Sequence, residues 1–279
     1  MDNTDCYPLG LINWSGAKKG GVRQPFQKSS GRPVRRQLKT PLVTRLDNWV
    51  KNMVAGVDGT SRAILLVGGP GNGKTDAVEG CIQSFDAEIG ANGELYSAFA
   101  RQYDVRPDLP PRRSEVRLPT ITSSSDIEPV IRLVQDATEK DPAFPEASAE
   151  SLLLSELSEI LDGSYKGIYI CCVNRGILAN TASLASRENN TVMTTFLNQM
   201  VAAASGGPSA PSCWPLDNNQ IALWPMDIES LVSISANGSE KTIAHEILDA
   251  ALDDKKWQPF CSNKTVCPSV FVNIVVAST

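Results

Sequence analysis

One stretch constrains the fold more than any other. Gly68-Gly69-Pro70-Gly71-Asn72-Gly73-Lys74-Thr75 fits G-x-x-x-x-G-K-[ST], the pattern of a phosphate-binding loop. Ahead of it run Ala63-Ile64-Leu65-Leu66-Val67, a short apolar segment that predicts a buried parallel strand. Behind it Val78, Cys81, Ile82 and Phe85 share one face of a predicted helix. Glycines let successive backbone N–H groups turn toward phosphate oxygens, where a Cβ would block the φ values or the approach. The helix N-terminus adds its partial positive charge. On this reading Lys74 reaches the β- and γ-phosphates and the Thr75 hydroxyl holds Mg²⁺. Gly68 through Thr75, with the adjoining Asp76, form the expected nucleotide-contacting set, and ATP with Mg²⁺ is the expected ligand. The alternative is a glycine-rich turn followed by an incidental Lys-Thr.

The chain has 279 residues, enough for one large domain or two small ones. Its net charge of −5 argues against a general polyanion binder. No apolar run approaches the length of a membrane span, and the polar N-terminus has no secretory h-region. Seven cysteines in no regular framework, two of them adjacent at Cys171-Cys172, read as reduced thiols. A cytoplasmic location is expected. His245 is the single histidine, which removes most His-based metal and nucleophile schemes. Cys261 and Cys267 have the spacing of half a zinc site without a second pair, and buried thiols are the simpler reading.

Three segments are expected. Residues 1–39 form an irregular basic arm with no acid between Lys18 and Lys39, a contact for nucleic-acid phosphates or for a neighbouring subunit's acidic face, or else a solvated tail. Residues 40–235 form an α/β core. Pro41 opens a helix whose apolar face is Leu42, Leu46, Trp49, Val50 and Met53. Tyr96, Phe99 and Tyr103 fit a helix, and residues 115–121 an edge-like strand. The run Val130-Ile131-Arg132-Leu133-Val134 before Asp136 is either a strand ending in a metal-orienting acid or part of an amphipathic helix over 127–137. A helix over 147–161 carries Leu153, Leu157, Ile160 and Leu161. Residues 166–173 predict a buried strand ending at Asn174, with Arg175-Gly176 starting an exit turn. A helix from about 191 to 203 carries Val192, Phe196, Leu197, Met200 and Val201, and residues 220–226 make a last strand. Residues 236–279 add a helix over 241–252 and an apolar end at 270–276. Alternating strands and helices predict a parallel sheet covered on both faces. Its ligand belongs at the carboxyl ends of the strands, where the loop, Asp136 and Asn174 would converge.

The order of phosphate loop, strand-end acid and strand-end Asn resembles the AAA+ ATPases across about residues 40–235. The resemblance implies a P-loop NTPase core, with Asp136 as the Walker B acid and Asn174 as the sensor that places the attacking water. Two departures are visible. Ala137 stands where the family has a Glu that polarises water, leaving Glu139 as the nearest substitute, and a helical lid is absent or incomplete in 236–279. The resemblance also implies a homo-oligomeric ring in which a neighbour's arginine completes the site, Arg187 being the first candidate and Arg175 the second. The basic arm, the segments around Asp136 and Asn174, and Trp224-Pro225-Met226-Asp227 resemble the RADAR-type antiphage ATPases, which implies an adenosine deaminase partner. The expected function is therefore an ATPase that couples nucleotide state to assembly or remodelling. An ATP-gated switch with little turnover is the second reading. A small-molecule kinase would need an Arg-rich closing lid, of which Arg112-Arg113 offers little. No Asn-Lys-x-Asp segment supports a GTPase.

Overall fold

The computed structural model describes residue 26 and residues 40–104, 111–118, 127–207, 209–217, 220–228 and 242–252. The expectations placed on the basic residues between Lys18 and Lys39, on Cys261 and Cys267, and on the apolar end at 270–276 lie outside the described residues. Phe26 and residues 41–228 belong to one compact unit, while the helix near the C-terminus belongs to another.

In the first unit, helix α1 (Pro41–Ala55) buries Leu42, Leu46, Trp49, Val50 and Met53, the five residues its spacing marks as inward. Strand β1 (Ala63–Val67) is buried along its whole length. It leads through the glycine loop into α2 (Lys74–Glu88) and then α3 (Glu94–Asp104). Strand β2 (Arg113–Arg117) and β3 (Val130–Val134) precede α4 (Ala149–Leu161). Strand β4 (Ile168–Val173) is followed by α5 (Arg175–Arg187), α6 (Thr191–Ser205), β5 (Ile221–Pro225) and a 3₁₀ turn at Met226–Ile228.

The five strands form one sheet in the order β2-β3-β4-β1-β5. β1 pairs in parallel with both β4 and β5, and β3 in parallel with β4. The expectation of a wholly parallel sheet fails at one edge, where β2 runs antiparallel to β3. Helices cover both faces. Ile64, Leu66, Ile170 and Cys172 pack on the side of α1, α2 and α3, and Leu65, Val67, Tyr169 and Cys171 on the side of α4, α5 and α6. Strand alternation divides the residues, since successive side chains point to opposite faces. Phe26 is buried on the first side, where it stacks at 5.5 Å on Phe99 beside Tyr96 and Tyr103.

Three further expectations change. Residues 130–134 pair as a strand, which removes the amphipathic-helix reading of that run. Arg175-Gly176 does not start an exit turn: Asn174 caps α5, and the helix begins at once. Val192, expected on the inner face of α6, is 73% exposed, and Met193 takes the inward position instead. In the second unit, α7 (Ile243–Leu252) begins beside Thr242, whose hydroxyl accepts from the His245 N–H at 3.2 Å. That contact makes Thr242 the cap of α7, and His245 Nδ1 in turn accepts from the Thr242 N–H at 3.3 Å. No helix among the described residues is long and apolar enough to cross a membrane.

Candidate functional site

β1 and β4 are adjacent and parallel, yet the chain leaves them toward opposite faces. β1 continues into α2 on one side, and β4 into α5 and α6 on the other. The two connections part there, and α/β sheets take their ligands beyond the strand ends at such a point. The glycine loop opens at this point. The Gly68 N–H donates to the Val173 carbonyl at 3.0 Å, extending the β1–β4 ladder by one bond before the chain turns away. On the other side of β4, the Ala137 N–H donates to the Cys172 carbonyl at 2.9 Å, which draws the Asp136 segment against the same strand end. Loop, Asp136 and Asn174 therefore lie on three neighbouring strand ends.

Inside the loop, glycine is required for different reasons at different positions. A Cβ on Gly68 would stand 2.7 Å from Met226 Cβ, so the close approach of the turn after β5 excludes a side chain there. Gly71 and Gly73 have φ of 81° and 79°, a region L-residues avoid, and the space beside them is open. Pro70 and Gly71 are exposed, and Gly69 is partly so. Gly73 caps α2 without a side chain, which leaves the first helical turn, with Thr75 and Asp76, at the mouth of the loop. The Lys74 ammonium donates to the Gly68 and Gly69 carbonyls at 2.7 and 2.6 Å, so its charge lies over the loop.

Asp136 is partly buried, and its Oδ1 accepts from the Thr138 N–H at 2.9 Å and the Thr138 hydroxyl at 2.7 Å. These bonds fix the carboxylate with its second oxygen free of them. The Cys172 thiol is pushed up to about 12, chiefly by burial; the Lys74 ammonium works against the shift and the Asp136 carboxylate adds to it. Both charges are thus felt at one β4 residue. Asn174 Oδ1 accepts from the Ile177 N–H at 2.7 Å as the cap of α5. Its amide nitrogen has no hydrogen-bond partner among the described residues.

Two candidates are not brought to this place. Glu139 is exposed on the turn after Asp136, tied only through its own N–H to the Asp136 carbonyl at 3.2 Å. Arg187 ends α5, about 20 Å along the helix axis from Asn174. It is exposed, in a shallow cleft with Ser148, Glu150 and Asn180. Of the two arginines a kinase lid would draw on, Arg112 is buried against Glu156 at 2.5 Å and serves the core, and Arg113 opens β2 with its side chain 4.0 Å from Glu115.

Sequence reasoning missed a further group. Asp227 follows β5, and its Oδ1 accepts from the Asn72 side-chain amide in the loop. Its Oδ2 pairs with Arg175 Nη2 at 3.1 Å. Nothing in the spacing signals this cluster, because only the pairing of β5 with β1 brings its members together.

The donors present suit Mg²⁺ with a polyphosphate. The Thr75 hydroxyl and the Asp136 carboxylate are hard oxygen donors, and Mg²⁺ is commonly held by one or two protein ligands plus substrate phosphates. Among the described residues no cluster of three or more His, Cys, Asp or Glu offers an all-protein metal site. Comparison with protein-family models, curated proteins and solved structures returned no match.

Proposed function

We propose that this chain binds a nucleoside triphosphate, ATP, with Mg²⁺ at the Gly68–Thr75 loop, on a P-loop NTPase core of AAA+-like type, and hydrolyses it. One observation carries the reading: the glycine loop, Asp136 and Asn174 occupy neighbouring strand ends at the point where the sheet's connections diverge. The open space at Gly69, Gly71 and Gly73 supports it, since a polyphosphate lying along the backbone needs that clearance.

Each residue has a part. Lys74 and the loop amides bind and orient the phosphates, and Thr75 and Asp136 hold the metal. Bound there, Mg²⁺ would neutralise charge on the phosphate oxygens. The Asn174 amide nitrogen orients water at the terminal phosphate while its oxygen stays committed to the helix cap. No carboxylate beside Asp136 is assigned as a base: Ala137 follows it, and Glu139 faces solvent. That absence favours the second reading, an ATP-gated switch that turns over slowly.

Turnover of ATP by the purified protein, measured over a series of protein concentrations beside Lys74→Ala and Asp136→Ala, separates the two. Turnover that rises with concentration and is lost in both variants supports an assembling ATPase, for which the exposed Arg187 is the proposed contribution to a neighbour's site. Tight binding without turnover supports the switch. No ATP binding by the unaltered chain overturns both.

A further inference from the structure

We propose that Arg175 is the cation by which this chain tells a nucleoside triphosphate from the diphosphate, and that Asp227 is a positioning residue holding it beside the phosphate loop. This inference rests on the nucleotide-site reading and adds a discriminating pair to it.

The geometry is a chain of contacts across three elements. Arg175 is the first residue of α5, directly after Asn174. Its Nη2 lies 3.1 Å from Asp227 Oδ2 and donates to the Ala204 carbonyl at 2.9 Å. The other oxygen of the same carboxylate accepts from Asn72, the first residue of the loop's second half. One carboxylate thus joins the end of β4, the turn after β5 and the loop itself. Met226, next to Asp227, packs so closely on Gly68 that the turn cannot shift without the loop responding.

Charge gives this arrangement its meaning. A carboxylate beside an anion-binding loop repels phosphate unless a cation offsets it, and Arg175 is that cation. Both side chains are nearly half exposed, at 46% and 42%. An ion pair in such surroundings contributes about 0–1 kcal/mol and exchanges partners easily. The guanidinium carries five N–H donors in a planar fork that matches phosphate oxygens, and the two contacts described use one nitrogen. A triphosphate differs from a diphosphate by one phosphoryl group at the outer end, toward the strand ends where Asn174 and Arg175 stand. Arg175 then acts within its own chain.

Binding of fluorescent ATP and ADP analogues to the full chain, with thermal unfolding of each variant, tests the pair. Arg175→Ala should weaken ATP binding by about tenfold more than ADP binding, the size of one charge-assisted contact. Arg175→Lys, which keeps the charge and loses the fork, should fall between the two. Asp227→Asn, which can still accept from Asn72 but then presents an N–H to Arg175 and no longer holds it, should lower the ATP-to-ADP preference without weakening ADP binding. Should Arg175→Ala fold poorly, Arg175→Lys and Asp227→Asn still carry the test. If Lys74→Ala abolishes binding of both nucleotides while the Arg175 and Asp227 variants leave the ATP-to-ADP ratio unchanged, the discriminating role is overturned and the nucleotide site stands. If the unaltered chain binds neither nucleotide, the site reading fails first and this inference falls with it.

Discussion

At Asn174 the two ends of one side-chain amide separate cleanly. The oxygen caps α5 by accepting from the Ile177 N–H, and the nitrogen is left toward the strand ends. Aspartate keeps the oxygen and removes the nitrogen, whereas alanine removes both. Asn174→Ala should therefore lose about 1 kcal/mol of stability, the usual worth of such a cap. In a unit of this size that lowers the melting temperature by about 2–4 °C. Asn174→Asp should melt within about a degree of the unaltered chain. ATP turnover should nevertheless fall in both variants alike. An aspartate variant as active as the unaltered chain would reduce Asn174 to a cap.

Among the elements, β2 is held to the sheet by charges as well as by its ladder. Arg112, just before β2, makes a two-pronged contact with Glu156 of α4 at 2.5 and 3.1 Å, and Glu156 also accepts from the Tyr169 hydroxyl at 2.9 Å. Both partners are buried, so removing one strands the other. Arg112→Met should cost about 3–5 kcal/mol. Adding Glu156→Gln, which keeps an acceptor for Tyr169, should recover most of that loss in a urea unfolding series; a double variant as unstable as the single one would show that the charge pair is not the cause. None of this was legible from the sequence, where Arg112 resembles any surface cation and Glu156 sits unremarked in a helical stripe. Helices α1, α2 and α4 could be read because large apolar residues recur at their turns. α5 could not, because its inward face is Leu178, Thr181, Ala182 and Ala185, too small and too polar to stand out. β3 was ambiguous because five apolar-rich residues fit either period, and its pairing with β2 and β4 decides the matter. The loop, Asp136 and Asn174 were visible because each sits at the end of an apolar strand. Asp227 was not, because it meets Asn72 across 155 residues of chain.

Taken as a whole, the molecule buries thiols and phenols on both sides of its sheet. Burial pushes Cys172 from 9.0 to about 12 and Tyr103 from 10.0 to about 12, and raises Cys81, Cys171, Tyr165 and Tyr169 as well. The folded chain therefore keeps protons that the unfolded chain gives up. The stability these groups contribute is fully present below about pH 9 and is lost as pH rises toward about 12. Melting temperatures recorded between about pH 8 and 11 should fall progressively above pH 9; a flat profile across that range would contradict the burial of these groups.

The central position of β1 also bears on the order in which the chain is made. Its two partners come late, with Ala63 opposite Tyr169 on one side and Ile221 on the other. At about 5–20 residues per second, a ribosome finishes β5 roughly ten to thirty seconds after β1. Until β4 is made, about two-thirds of the way through that interval, a strand apolar on both faces has neither neighbour in place, which is the state most open to pairing with another nascent chain. The glycine loop waits the whole interval for Met226, the wall that Gly68 is shaped to meet. The first-made part of the site is thus the last to be enclosed, and a chaperone holding the emerging N-terminal half would protect its most exposed stage.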